Sequence, residues 1–302
     1  MSERNLAASV RARLLNKARA EKIDFNQLLT RYGLERMLYR LGASSHRNNF
    51  LLKGAMLFDL WFAILHRPTN DIDLLGFGST DLSILKALFQ SVCLIEANDG
   101  MVFKPESVQA SEIRKSANYA GVRIELLGLL DSARCPVQID VGFGDIVVPG
   151  PEDAVYPTIL EDMTHPSLRV YSRCSVVAEK TEAMVALGML NSRMKDFFDL
   201  WILAKHSDFD GGILDKAIRS TFERRSTAIP AQLPVGLTDE FAYDVNKTKQ
   251  WQGFLRKNAL ESISLPSIIA DLREFLMPIL SGELNEKMHW KAGYGWAARI
   301  AH

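Results

Sequence analysis

A chain of 302 residues is longer than one small core needs, so two closely packed lobes are expected. Its 47% apolar and 24% charged residues are those of an ordinary globular protein, and 36 basic residues against 36 acidic ones leave no global field for a polyanion, which would need a local basic face. Three isolated cysteines, Cys93, Cys135 and Cys174, indicate neither a zinc site nor a disulfide framework.

A reducing cytosol is the simplest reading, and a cytoplasmic location is expected. The first twenty residues are too charged for a signal peptide, and no run of about 18 apolar residues suggests a membrane span.

Residues 5–42 read as two helices. Leu6, Val10, Leu14 and Leu15 recur at helical spacing, as do Phe25, Leu28, Leu29, Leu34, Met37 and Leu41, with Asp24 as candidate N-cap of the second. Arg11, Arg13, Lys17, Arg19 and Lys22 make the first helix basic on its outer side: a solvated face, with an RNA contact as the alternative. Phe50-Leu-Leu-Lys53 is a short apolar strand ended by Gly54. Residues 55–65 read as a buried helix through Met56, Leu57, Leu60, Trp61 and Ile64, and 71–75 as a second strand. Gly76-Phe-Gly78 turns the chain, and Ser79 or Thr80 caps a helix to about residue 92.

The runs 122–130 and 137–141 are β-rich and joined by Asp131-Ser-Ala-Arg-Cys-Pro136, a hairpin with a loop of several residues. Val137, Ile139 and Val141 alternate with Gln138 and Asp140. Asp140 therefore faces away from the apolar stripe, or lies at the rim of a sheet packed on one side.

Val148-Pro-Gly-Pro-Glu152 breaks the pattern and places a lobe boundary near 150–165, dividing the chain into 1–160 and a helical 161–302. Helices are predicted over 175–190, 195–204 after Ser192, 212–224, 237–258 and 266–280, the last opened by Pro266. The tail 288–302, with Trp290, Tyr294, Trp296, Lys291 and Arg299, reads as docked on the body. The fold class expected is α+β, a mixed-sheet core with flanking helices and a helical C-terminal lobe.

Candidate chemistry centres on Arg67-Pro-Thr-Asn-Asp-Ile-Asp-Leu-Leu75. Asp71 and Asp73, two apart on a strand, point the same way with backbone positions about 6.5 Å apart, so both can converge on a hard cation or a pair of them. With Asp140 from a later strand, they form the set needed to clamp two Mg²⁺ about 3.5–4 Å apart and hold a triphosphate. A third carboxylate near the attacking hydroxyl could also take its proton. Lys53-Gly54 before a helix suits phosphate oxygens, because glycine lets backbone N–H groups come close. Arg67 either stabilises a phosphate or pairs with Asp71 or Asp73. Asp145, after Gly144, reads as a turn or cap acid, with a further metal ligand as the alternative.

A second polar cluster comprises Glu179-Lys180 and Arg193-Met-Lys-Asp-Phe-Phe-Asp199. Lys195 and Asp199 are i, i+4 neighbours on a helix, and Asp196 and Asp199 are i, i+3 neighbours. The plain reading is an ion-paired helix start; the functional one is a charged wall facing a nucleotide, with Lys180, Arg193, Lys195 and Asp196 around its phosphates. Phe197, Phe198 and Trp201 read as core. The histidines (His46, His66, His165, His206, His289 and His302) are scattered without a His-x₃-His pair, which argues against a zinc hydrolase. The glycine signatures of P-loop, Rossmann and α/β-hydrolase enzymes do not occur.

Six segments together resemble the AbiEii/AbiGii toxin family of nucleotidyltransferases, to which the MenT-type toxins also belong. They are Leu52-Lys-Gly-Ala55, Arg67-Pro-Thr-Asn-Asp-Ile-Asp-Leu74, Ile139-Asp-Val-Gly-Phe-Gly-Asp145, Tyr156-Pro157, Ala178-Glu-Lys180 and Asn191-Ser-Arg-Met-Lys-Asp-Phe-Phe-Asp-Leu200. They run in the family's order across 50–205; residues 1–45 and 210–302 match only in being helical. The Arg-x-Lys-Asp-x-x-Asp-Leu box with the upstream Glu-Lys is the most specific of them.

The resemblance implies a DNA-polymerase-β-like nucleotidyltransferase core. Asp71, Asp73 and Asp140 would be its metal-binding carboxylates, Lys180, Lys195 and Asp199 would stand at positions tied to activity, and Lys195 would contact phosphate. It also implies an antitoxin encoded alongside and, in some relatives, modification of the tRNA 3′ end. Where the family often carries a second glycine or a serine, this chain has Ala55, which offers no hydroxyl to the phosphates.

The leading expectation is thus an Mg²⁺-dependent nucleotidyltransferase toxin of a toxin–antitoxin or phage-defence pair, moving NMP from an NTP to a hydroxyl. Two alternatives stand beside it: a nucleotide- or RNA-binding protein of the same fold without turnover, and a small-molecule nucleotidyltransferase of the aminoglycoside-modifying kind.

Overall fold

The computed structural model describes residues 3–62, 67–113, 121–283 and 288–298. Packing divides the chain into two units. Unit 1 comprises Met1–Asp145 with Pro151–Tyr171, and unit 2 comprises Ile146–Gly150 with Ser172–His302.

Unit 1 opens with α1 (Glu3–Glu21) and α2 (Phe25–Ala43). Asp24 caps α2, its carboxylate accepting from the Gln27 amide at 3.0 Å. Val10, Leu14 and Ala18 of α1 and Leu28, Leu34, Met37, Leu38 and Leu41 of α2 are buried, as their helical spacing demands. The basic side of α1 is partly neutralised: Arg13 pairs with Asp162, and Lys17 with Glu21 at 2.7 Å. Inward from α2, Arg40 meets Asp99 at 2.7 Å, both nearly inaccessible, and also donates to the Met101 carbonyl. Burial of these two charges is tolerable because each satisfies the other.

Next come β1 (Phe50–Lys53), α3 (Met56–Trp61), β2 (Asp71–Gly76) and α4 (Leu82–Cys93). The predicted third helix is shorter than 55–65, because Phe62 is already extended. Its ring instead packs on Phe58, with centroids 5.9 Å apart. Ile64 and Leu65 of that helix, and His66, lie outside the described residues, as does Arg299. Neither Ser79 nor Thr80 caps α4: the cap is Asp81, whose one carboxylate oxygen accepts from the amides of Ser83 and Ile84, while Ser79 accepts from the Asp81 amide.

Strand β3 (Met101–Glu112) is an element the sequence reading lacked. It is an edge strand with a register slip between Lys104 and Gln109, so its alternation is interrupted and Pro105 is tolerated. β4 (Gly121–Leu130) and β5 (Ala133–Phe143) form the predicted hairpin, but their ladder closes at Leu130↔Ala133. The connection is therefore only Asp131-Ser132, with Asp131 at φ 53°, and Arg134 to Pro136 belong to the strand.

Beyond the 148–152 break the chain adds two strands, β6 (Glu152–Val155) and β7 (Ser167–Val170), before turning helical. Four residues each are too few to show a period. The resulting seven-stranded mixed sheet has the order β3-β4-β5-β2-β1-β7-β6, with β5/β2 and β1/β7 parallel. Helix α2 packs on β5 and β7, on the face of the sheet that carries Leu52, Ile72, Leu74, Ile139 and Val141, which are all buried.

Unit 2 carries α5 (Arg173–Leu187), α6 (Met194–His206), β8 (Phe209–Asp210), α7 (Gly211–Arg224), α8 (Asp239–Tyr243), α9 (Val245–Lys257) and α10 (Leu265–Leu280). Helix α5 stops short of residue 190, where Gly188 at φ 48° leads into a 3-10 turn. The single helix predicted over 237–258 is two, broken at Asp244, which caps α9 through the Lys247 amide at 2.8 Å. Helix α6 follows Ser192 as expected, with Arg193 in the cap position and Met194 as its first residue. Pro266 opens α10 as expected.

The tail forms β9 (Met288–Lys291) and β10 (Gly295–Ala298), which join β8 in a three-stranded sheet, so unit 2 is not purely helical. Trp290 is buried with its indole N–H on the Ala204 carbonyl at 2.7 Å and its ring 4.8 Å from that of Phe275. The expected docking of the tail is therefore made by aromatic packing inside unit 2. Among the described residues, no helix is long and apolar enough to cross a membrane.

Candidate active site

The polar face of unit 1's sheet is laid out by strand register. Lys53 on β1 stands opposite Asp73 on β2, Asp73 opposite Asp140 on β5, and Asp140 opposite Arg123 on β4. Register partners point to the same face, so four neighbouring strands carry a rank of cation, acid, acid, cation. Asp71, two residues before Asp73, adds a third acid to that face. One oxygen of each of Asp71, Asp73 and Asp140 lies within 4.8 Å of the others, and all three residues are half-buried.

Three carboxylate oxygens are hard donors, and the set could hold a cation of the magnesium, calcium or manganese type. The hydroxyl of Thr69 donates to Asp71 Oδ1 at 2.7 Å and fixes that side chain.

Gly54 is demanded by the site. Its φ is +76°, and a Cβ there would sit 2.1 Å from Oδ2 of Asp73. The turn after β1 thus forms the floor on which the Asp73 carboxylate rests. Alanine at this position combines left-handed strain of about 1–3 kcal/mol with that collision. Gly54→Ala is expected to lower the urea midpoint and weaken metal binding together. A variant with both at the wild-type values would show that the close approach is not needed.

Lys53 binds Asp145 at 2.8 Å, with its ammonium 5.3 Å from the Tyr171 ring. Asp145, half-buried after Gly144, is thus the partner of a site lysine. Ala55 is buried at the start of α3, and Arg67 is half-buried on the approach to β2.

Sequence reasoning missed Arg123. Its Nε and Nη2 donate to the two oxygens of Asp140, each at 2.8 Å, and this bond holds the guanidinium pKa above its ordinary value. Its position between buried Val122 and Ile124 shows that it faces away from the core, but its partner follows only from the β4/β5 register.

The second cluster belongs to unit 2. Lys180 on α5 binds Asp196 at 2.8 Å and Asp199 at 2.7 Å, both on α6, and Arg193 binds Asp196 at 2.6 Å. Asp199 is fully buried and Asp196 nearly so, whereas Lys195 is exposed. Burial pushes the Asp196 carboxyl up, but Lys180 and Arg193 outweigh it and hold the group below its ordinary value. Glu179 pairs with Arg225 at 3.4 Å. Lys195 and Asp199 are i, i+4 neighbours on α6 and yet differ in burial, the lysine exposed and the aspartate dry. Phe197 and Phe198 are core, and Trp201 donates to Asp271 at 2.8 Å.

Two solved structures from Helicobacter pylori are similar to this chain in shape. One is JHP933 and the other is described provisionally as a nucleotidyltransferase. Each is 14% identical with a TM-score of 0.46 over 83% of this chain, covering 90% and 93% of their own lengths. No curated protein matches in sequence. The model of the nucleotidyl transferase AbiEii toxin of type IV toxin–antitoxin systems matches residues 36–276, a span that takes in Asp71, Asp73, Asp140, Lys180 and Asp199, and the chain belongs to that family.

Proposed function

We propose that the protein is an Mg²⁺-dependent nucleotidyltransferase that acts in the cytoplasm as the toxin beside a cognate antitoxin, in phage defence. The acceptor hydroxyl would bond to the α-phosphorus of an NTP, the bond to the bridging oxygen would break, and pyrophosphate would leave. The observation that carries this reading is the convergence of Asp71, Asp73 and Asp140 on one face of the sheet. Mg²⁺ held by these carboxylates would supply positive charge where the triphosphate needs it.

The chain's own residues do the rest. Thr69 orients Asp71, Gly54 clears the ground for Asp73, and Lys53, Ala55 and Arg67 stand beside the acids as the proposed triphosphate contacts. Once an oxygen of Asp140 is released from Arg123, that carboxylate can accept the proton of the hydroxyl. In unit 2, Asp196 and Asp199 act as positioning residues for the Lys180 ammonium, and exposed Lys195 is the phosphate contact proposed from the resemblance of its sequence box. The acceptor proposed is RNA, with the tRNA 3′ end first among the candidates.

Incubation with each α-labelled NTP and total RNA, with and without Mg²⁺, tests the reading by gel separation. Labelled RNA that requires Mg²⁺ is the expected result. A labelled small molecule would favour the aminoglycoside-type enzyme, and nucleotide retention without product under any NTP would favour a non-catalytic binder.

A further inference from the structure

Asp140 has both its oxygens engaged by Arg123. The pair is formed across neighbouring strands in register, so it is built into the β4/β5 ladder. The guanidinium is 38% exposed and the Asp140 side chain 12%. Any cation taking a ligand from each of the three acids needs one of the two oxygens that Arg123 holds. The guanidinium cannot shed its charge to make way. An ion seated on Asp140 would lie against that charge; turning aside relieves the repulsion, and the exposed outer end gives the guanidinium water to turn into.

Without an ion, three ionised carboxylates within 4.8 Å of one another repel, and Arg123 offsets that repulsion at one end of the rank.

We propose that Arg123 is a counterion latch for the triad: it holds Asp140 in place and neutralises the acids before the ion arrives, and it sets the affinity for that ion by competing for the same carboxylate. This rests on the metal-site reading above. Arg123 is a positioning residue in this scheme, acting through Asp140. The purpose of such a device is physical. It keeps the acid cluster assembled at low ion concentration, and it lets an ion arriving with a polyphosphate, whose negative charge receives the displaced guanidinium, bind better than an ion alone.

The test is Mn²⁺ titration of the full chain without nucleotide, followed by electron paramagnetic resonance of free Mn²⁺. Arg123→Met is expected to lower the half-saturating Mn²⁺ concentration about tenfold, the factor carried by one charged bidentate pair of this exposure. Arg123→Lys, with a point charge in place of the fork, should fall between the two. Metal-free Arg123→Met should melt below the wild type, with the gap closing when Mn²⁺ saturates both.

If the wild type binds Mn²⁺ and Arg123→Met binds it equally or more weakly, the latch is wrong and the metal site stands. If the wild type binds no better than Asp73→Asn, the metal site itself fails and the latch with it. Should Arg123→Met not fold, Arg123→Lys decides: an affinity no tighter than that of the wild type overturns the proposal.

Discussion

Asp73→Asn is expected to reduce label transfer from α-labelled NTP by at least about 10³-fold while leaving the fold intact. The size follows from losing several kcal/mol of charge stabilisation at the α-phosphorus, at 1.36 kcal/mol per tenfold in rate. The intact fold follows from electrostatics: Asp73 stands beside Asp140 in register and within 4.8 Å of two other carboxylates, so removing its charge relieves repulsion. The amide still rests on Gly54, with no added volume. The variant should unfold cooperatively with a thermal midpoint close to that of the wild type, and a cell expressing it should grow. Transfer within tenfold of the wild-type rate would remove Asp73 from the chemistry. Asp71→Asn should behave alike in rate, but it also weakens the Thr69 bond, so a small loss of stability is expected there.

Lys180→Met is expected to have the largest effect on stability, about 3–5 kcal/mol at neutral pH, because it leaves two buried carboxylates facing each other without their shared cation. Urea unfolding monitored on unit 2's tryptophans measures it. The pH dependence gives a second reading. In the wild type the Asp196 carboxyl is held below its ordinary value, so its contribution is complete above the ordinary carboxylate range and is lost as pH falls through the depressed value. In Lys180→Met, burial without Lys180 raises the carboxyl values, and protonation relieves the variant as pH falls. The gap between the two proteins should therefore shrink toward acid. A destabilisation of under about 1 kcal/mol, or one that grows on acidification, would show that Lys180 is not the counterion the geometry indicates.

Local signals in the chain carried much of this structure. Asp24 before a helical repeat caps α2, Pro266 opens α10, and alternation in 137–141 places Asp140 on the face opposite the core. Each of these depends on neighbours within a few residues, where propensity and period act directly. The signals that misled were also local. Ser79 and Thr80 are good caps, but Asp81 reaches two amides at once. β3 is hidden because a register slip and an edge position release it from strict alternation. The strands β6 and β7 exist because β1 offers an open edge, which nothing in their four residues announces.

The site divides in the same way. That Asp71 and Asp73 share a face needs only the two-residue period of a strand, and the family resemblance rests on residue order. That Asp73 lies beside Asp140, that Arg123 grips the latter, that Asp145 answers Lys53, and that Lys180 is enclosed by two acids of another helix all depend on pairings across 16 to 92 positions of chain. Such pairings are chosen by register and packing of the whole unit, where many weak contacts compete at once. Short-range periodicity can say which way a side chain points; only the assembled sheet and helix pair decide what it meets there.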